Sequence, residues 1–132
     1  MGARILVIED DADTLALMTY LLGAFGYRTI AAEDGLAGLA AARAERPDLI
    51  LCDVQLPGLD GYGIVRELAA DPELSSIPRV AVTASAMAGD RSKLLAAGFH
   101  GYFSKPIVPE SFVQELGAFL PPALRQGDGR GE

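Results

Sequence analysis

Five short runs of apolar residues are spaced along the chain, and in the longer stretches between them apolar side chains return every three or four positions. The first run, Arg4-Ile5-Leu6-Val7-Ile8, is apolar without a break after Arg4 rather than alternating, which predicts a parallel strand covered on both faces. Similar runs over Arg28 to Ala32, Leu49 to Cys52, Arg79 to Val82 and around Tyr102-Phe103 predict four more strands.

The intervening segments read as helices. Leu15, Met18 and Leu22 share one face of the first, with Asp13 or Asp11 as its N-cap and Gly23 and Gly26 loosening its end. An alanine-rich helix follows Glu33-Asp34-Gly35 and runs to about Glu45, where Pro47 stops it. Asp60 is placed to cap a third, through Ile64, Val65 and Leu68 toward Asp71-Pro72. A fourth runs roughly from Gly89 to Ala97 and stops at Gly98. The last, from Pro109 or Glu110 to Leu120, carries Phe112, Leu116 and Phe119 on one face and ends at Pro121-Pro122. Strand and helix alternating from end to end predict one α/β domain over residues 1–120. The Gly-rich stretch 121–132 reads as a flexible polar tail.

Composition narrows the classes. A chain of 132 residues with 50% hydrophobic and 22% charged residues is that of an ordinary globular protein, long enough for its own core. No apolar run is long enough to span a bilayer and no signal-peptide leader precedes the first strand, so a cytoplasmic protein without a membrane partner is expected. A net charge of −7 argues against direct nucleic-acid binding. Cys52, the only cysteine, has no disulfide partner within the chain and reads as buried filler. His100, the only histidine, excludes a multi-histidine metal site within one chain and is expected at a loop or strand entry.

Charge and hydroxyl groups recur where the predicted strands end: Glu9 and Asp10 after the first, Asp53 after the third, Thr83 after the fourth and Lys105 after the fifth. In an open parallel sheet those ends lie along one edge, where ligands bind. Three carboxylates gathered there repel one another unless a cation or protons intervene. A hard divalent ion suits them: Mg²⁺ takes oxygen ligands, and Asp10, Asp53 and the backbone carbonyl of Gln55 are the candidate protein ligands. Capping alone would explain any one acid, but not the joint set of acids, hydroxyl and ammonium.

Five segments in order now carry a resemblance: Ile5-Leu6-Val7-Ile8-Glu9-Asp10-Asp11, Asp48-Leu49-Ile50-Leu51-Cys52-Asp53, Leu56-Pro57-Gly58-Leu59-Asp60-Gly61, Val82-Thr83-Ala84, and Ala97-Gly98-Phe99-His100-Gly101-Tyr102-Phe103-Ser104-Lys105-Pro106. Together they resemble the response-regulator receiver domains of two-component signalling, and among them the free-standing single-domain receivers. The resemblance implies a flavodoxin-like, doubly wound (βα)5 fold with a five-stranded parallel sheet in the order 2-1-3-4-5. It implies that Asp53 is the phosphoacceptor, forming an aspartyl phosphate by self-catalysed, Mg²⁺-dependent transfer, with Mn²⁺ an acceptable substitute.

The remaining roles also follow from the resemblance. Asp10 binds the ion directly and Glu9, where many relatives carry Asp, binds through water. Lys105 and Thr83 contact phosphoryl oxygens, and Lys105-Pro106 fits a bond that is often cis in the family. Thr83 and Tyr102 form the switch. Gln55 and Ser85 tune hydrolysis, and the small Ala84 keeps the site open. A histidine kinase or histidine phosphotransfer protein is the implied donor. The implied downstream target docks on the face of the fourth helix, fifth strand and last helix, and phosphorylation-dependent homodimerisation is compatible with that face.

Three alternatives compete. A haloacid-dehalogenase-like phosphatase also uses an aspartyl phosphate, but it wants an Asp where this chain has Gln55. A degenerate docking module is opposed by the intact Asp10, Asp53, Thr83 and Lys105. A receiver module of a larger hybrid protein is the third, against which Met1 and the polar tail favour a complete chain.

Overall fold

The computed structural model describes residues 3–84 and 88–120. Its strands and helices alternate as β1 (Arg4–Ile8), α1 (Ala12–Ala24), β2 (Arg28–Ala32), α2 (Gly35–Glu45), β3 (Leu49–Asp53), α3 (Gly61–Ala70), β4 (Arg79–Thr83), α4 (Ala88–Ala97), β5 (Gly101–Ser104) and α5 (Pro109–Leu116). All four strand pairings are parallel, and the order across the sheet is β2-β1-β3-β4-β5. The expected fold class is therefore present. The expected tail, 121–132, lies outside the described residues.

Continuous apolar runs form the middle strands because both sheet faces are covered. Ile5, Val7, Leu49, Leu51, Val80 and Val82 pack with α1 and α5 on one face. Their sequence neighbours Leu6, Ile8, Ile50, Cys52 and Ala81 pack with α2, α3 and α4 on the other. Cys52 is buried filler as expected, and burial pushes its thiol pKa up. His100 enters β5, where its backbone N–H donates to the Arg79 carbonyl at 2.8 Å.

Each of the first three helices starts on a capping aspartate. Asp11 accepts from the Thr14 N–H, Asp34 from Ala37 and Asp60 from Gly63, at 3.0, 2.8 and 3.0 Å. Asp11, not Asp13, is thus the first cap, since only it precedes the helical turn with extended backbone. α2 ends at Arg46 in the left-handed region, φ 46°, because the following Pro47 disfavours helical backbone at the residue before it. The final helix is shorter than expected: α5 stops at Leu116, and Gly117–Phe119 tightens into a single 3-10 turn closed by the Leu120 N–H on the Gly117 carbonyl at 3.1 Å. Among the described residues no helix is long and apolar enough to cross a membrane.

Candidate functional site

Neighbouring β1 and β3 connect onward in opposite directions across the sheet, to β2 and to β4. Their C-terminal ends therefore flank the point where an open α/β sheet opens a crevice. Register places Ile8 beside Cys52, so Glu9 leaves β1 level with Asp53 at the end of β3. The capping role removes Asp11, Asp34 and Asp60 from the pool of acids at this edge. Among the described residues, Glu9, Asp10 and Asp53 come together, each with a carboxylate oxygen within 4.8 Å of the others.

Their environments differ. Asp10 is exposed, Asp53 is 5% exposed, and Glu9 is fully buried. Asp53 is held through both oxygens: Oδ1 accepts from the Gln55 backbone N–H at 3.1 Å, and Oδ2 from Lys105 Nζ at 3.1 Å. Glu9 Oε2 accepts from the Asp11 N–H and from Lys105 Nζ, each at 3.1 Å. Glu9 Oε1 lies 2.9 Å from the same ammonium, an ion pair outside hydrogen-bonding geometry, and has no other polar partner among the described residues.

The charge balance follows from that burial. Loss of solvent, with the Asp53 carboxyl beside it, pushes the Glu9 pKa up to about 7, against the opposing pull of Lys105 and the Asp11 N–H. Burial alone would lower the Lys105 pKa, but its bonds to Glu9 and Asp53 and their charges outweigh that effect and raise it. One ammonium against three carboxylates leaves the cluster short of positive charge. An excess of hard oxygen donors, three carboxylates within 4.8 Å of one another with one ammonium among them, fits a divalent cation.

Strand register also accounts for the other sequence-derived residues. Thr83, 4% exposed, ends β4 one residue beyond Val82, the partner of Asp53. The Lys105 N–H donates to the Thr83 carbonyl at 2.8 Å, which ties the start of the Lys105-Pro106 bond, here cis, to the same edge. Tyr102 pairs with Ala81, two residues before Thr83 and so on the same sheet face, and it is half-buried against the core under α2 to α4. Gln55 and Ala84 are exposed beside the site, and Ser85 lies outside the described residues. An open cavity of about 580 Å³ runs from Gln55 and Thr83 to Tyr62 and Leu94. Glycine makes the edge compact: a Cβ at Gly35 would stand 1.8 Å from the Leu59 carbonyl oxygen, so α2 abuts the loop after Asp53 directly.

The family model of the response regulator receiver domain matches residues 5–117. The chain belongs to this family. The receiver is 40% identical over 120 residues to the polar-differentiation response regulator DivK of Brucella anthropi, spanning 91% of this chain and 98% of that one. Its structure is similar to that of the receiver domain of the sensor histidine kinase PA1611 from Pseudomonas aeruginosa, solved with magnesium in its active-site cleft. That similarity has a TM-score of 0.82 at 34% identity, over 90% of this chain and 98% of that one. The chemotaxis protein CheY4 of Vibrio cholerae matches with a TM-score of 0.86 at 26% identity, covering 91% of this chain and 100% of that one. This receiver is accordingly a two-component response-regulator domain, and the haloacid-dehalogenase alternative is not favoured.

Sequence reasoning brought Glu9, Asp10, Asp53, Thr83 and Lys105 to one edge, and there they are. It missed that Lys105 bridges Glu9 as well as Asp53. It also missed Arg79, read only as a strand start, whose guanidinium is buried. The apolar context Ile77-Pro78-Arg79-Val80 was the available signal for the second.

Proposed function

We propose that this receiver accepts a phosphoryl group on Asp53 and thereby switches its binding to other proteins. The observation that carries this reading is the Asp53 carboxylate, held by the Gln55 N–H on one oxygen and by Lys105 on the other. That grip orients a nucleophile rather than merely neutralising an acid.

In the reaction, a carboxylate oxygen of Asp53 forms a bond to phosphorus as the donor's P–N or P–O bond breaks, and the electron pair leaves with the donor. Lys105 stands beside the acceptor to meet negative charge on a transferred oxygen, and the Thr83 hydroxyl is placed to meet another. Asp10 and Asp53, with the Gln55 carbonyl, would hold Mg²⁺, or Mn²⁺ in its place, and Glu9 would contribute through water. When bound, the ion would supply positive charge that offsets the negative charge of the carboxylates and of the incoming phosphoryl group.

The donor is a histidine kinase or histidine phosphotransfer protein, since receivers of this family exchange phosphate with such partners. Phosphorylation and hydrolysis are self-catalysed, with Gln55 and Ser85 setting the hydrolysis rate, so this is a switch rather than a turnover enzyme. The new phosphate carries roughly two negative charges and draws Thr83 toward it. Tyr102 then turns inward and resets the face of α4, β5 and α5 for a downstream protein or a second copy of the chain. The cytoplasm, where the kinase module and its phosphodonor meet, is the proposed location.

The test is incubation with acetyl phosphate, with and without Mg²⁺, followed by intact mass. An acid-stable, base-labile phosphoryl adduct that needs Mg²⁺ and is lost in Asp53→Asn supports the reading. Steady turnover of p-nitrophenyl phosphate instead would refute it in favour of an enzyme.

A further inference from the structure

Both lysines of the chain, Lys93 and Lys105, border the acceptor edge, and they are held differently. Lys105 is neutralised by Glu9 and Asp53. Lys93, on α4, takes part in no ion pair among the described residues, and its Nζ lies 4.9 Å from the centre of the Tyr62 ring. A ring face holds an ammonium in place without cancelling its charge. Tyr62 is itself packed edge-on against Phe99, with ring centroids 6.4 Å apart, so α3 helps to fix where that charge sits.

Lys93 and Tyr62 line the cavity of about 580 Å³ that begins at Gln55 and Thr83, a volume within the range of small-molecule sites. The Gln55 N–H holds Asp53, and Thr83 follows the β4 partner of Asp53, so the cavity starts beside the acceptor. Val54, Leu56 and Leu94 give it an apolar wall. Its acids are Asp60, which caps α3 by accepting from the Gly63 N–H at 3.0 Å, and Asp90, which has a partner of its own. Among the described lining residues Lys93 alone is cationic. Without it the lining would only repel an anion; with it, a small anion with a short apolar body has both a charge partner and a wall.

We propose that this cavity is the leaving-group subsite for small acyl phosphates and that Lys93 is its specificity-determining residue. The inference rests on the phosphoacceptor reading and deepens it. With the phosphorus of such a donor against Asp53, the acyl half enters the cavity. An Asp53 oxygen forms the bond to phosphorus, the bond from phosphorus to the acyl oxygen breaks, and the electron pair departs on that oxygen as a carboxylate, with no proton needed. Lys93 meets the charge that develops on the departing group. A donor that leaves uncharged gains nothing from the ammonium: phosphoramidate, already protonated on nitrogen, leaves as ammonia.

Phosphorylation rates of the full chain with acetyl phosphate and with phosphoramidate, in Mg²⁺ and read by intact mass, provide the test. Their ratio cancels any loss common to both donors. In Lys93→Gln the ratio of the acetyl phosphate rate to the phosphoramidate rate is expected to fall about fivefold, the scale of one partly exposed ion pair. Carbamoyl phosphate, which releases an anion, should follow acetyl phosphate, and Lys93→Arg, which keeps the charge, should keep most of the ratio. Arg91→Gln removes a cation from the same helix but not from the cavity lining, and should leave the ratio as it is.

An unchanged ratio in Lys93→Gln, a proportionate loss of both rates included, overturns the subsite. An equal fall of the ratio in Arg91→Gln also overturns it, by tracing the effect to the general charge of α4. In either case the phosphoacceptor reading stands, because both donors still label the native chain. Should the native chain take phosphate from neither donor, the phosphoacceptor reading fails and the subsite fails with it.

Discussion

Glu9 and Asp53 share one ammonium: an oxygen of each accepts from Lys105 Nζ at 3.1 Å, although the two residues come from different strand ends. Glu9 is the more deeply buried partner, and it holds the ammonium beside Asp53. Several measurable consequences depend on this shared contact.

The first concerns pH. The folded Glu9 pKa, raised to about 7 from 4.5, means that the folded state binds the extra proton between those values. Without divalent cation, stability is therefore fully present below the unfolded value and declines as pH rises through the window to about 7. Urea unfolding midpoints across that range should fall in the native chain and lose most of the slope in Glu9→Gln. Adding Mg²⁺, which favours the ionised carboxylates, should flatten the native slope as well.

Removing the ammonium leaves a buried carboxylate without its cation. Lys105→Met should lower stability at neutral pH by about 1–3 kcal/mol, the cost of stranding a buried polar partner. Much of the loss should return as acid protonates Glu9, which urea melts at two pH values can show. Acceptance of phosphate from acetyl phosphate should slow sharply in the same variant, since the ammonium beside Asp53 is gone.

Close backbone contact gives a third expectation. Gly35→Ala would drive a methyl into the Leu59 carbonyl, which cannot yield without moving the loop between Asp53 and α3. Destabilisation of about 1–3 kcal/mol is expected from the overpacking. Phosphorylation should slow while cation binding to Glu9 and Asp10 changes less, a split that cation titration and phosphorylation kinetics would resolve.

Much of this arrangement was legible before any coordinates. The five apolar runs carried a strong signal because strands buried on both faces cannot alternate, and each matched an observed strand within a residue or two. Strand-end residues followed from topology, so Asp53, Thr83 and Lys105 could be gathered without knowing a single distance. Local competition was harder to read: Asp11 and Asp13 are chemically equivalent caps, and only backbone conformation chose between them. The 3-10 turn after Leu116 arises at Gly117 and depends on packing against β5, where Phe119 closes on Phe103. The bridge from Lys105 to Glu9 spans 96 positions and had no pattern to announce it.

The proposed coupling between Thr83 and Tyr102 can be tested apart from the chemistry. Thr83→Ala should still accept phosphate on Asp53, more slowly, but the Tyr102 ring resonances should no longer respond to phosphorylation. Ring NMR signals recorded before and after acetyl phosphate would show whether the hydroxyl is the link.

Reductive trapping of the phosphorylated protein with borohydride, followed by peptide mapping, locates the acyl phosphate on a single side chain. Conversion of Asp53 to homoserine, dependent on a divalent cation and absent in Asp53→Asn, is the result expected here. Trapping at Asp10 or another carboxylate, or a phosphoryl adduct that persists in Asp53→Asn, would contradict it.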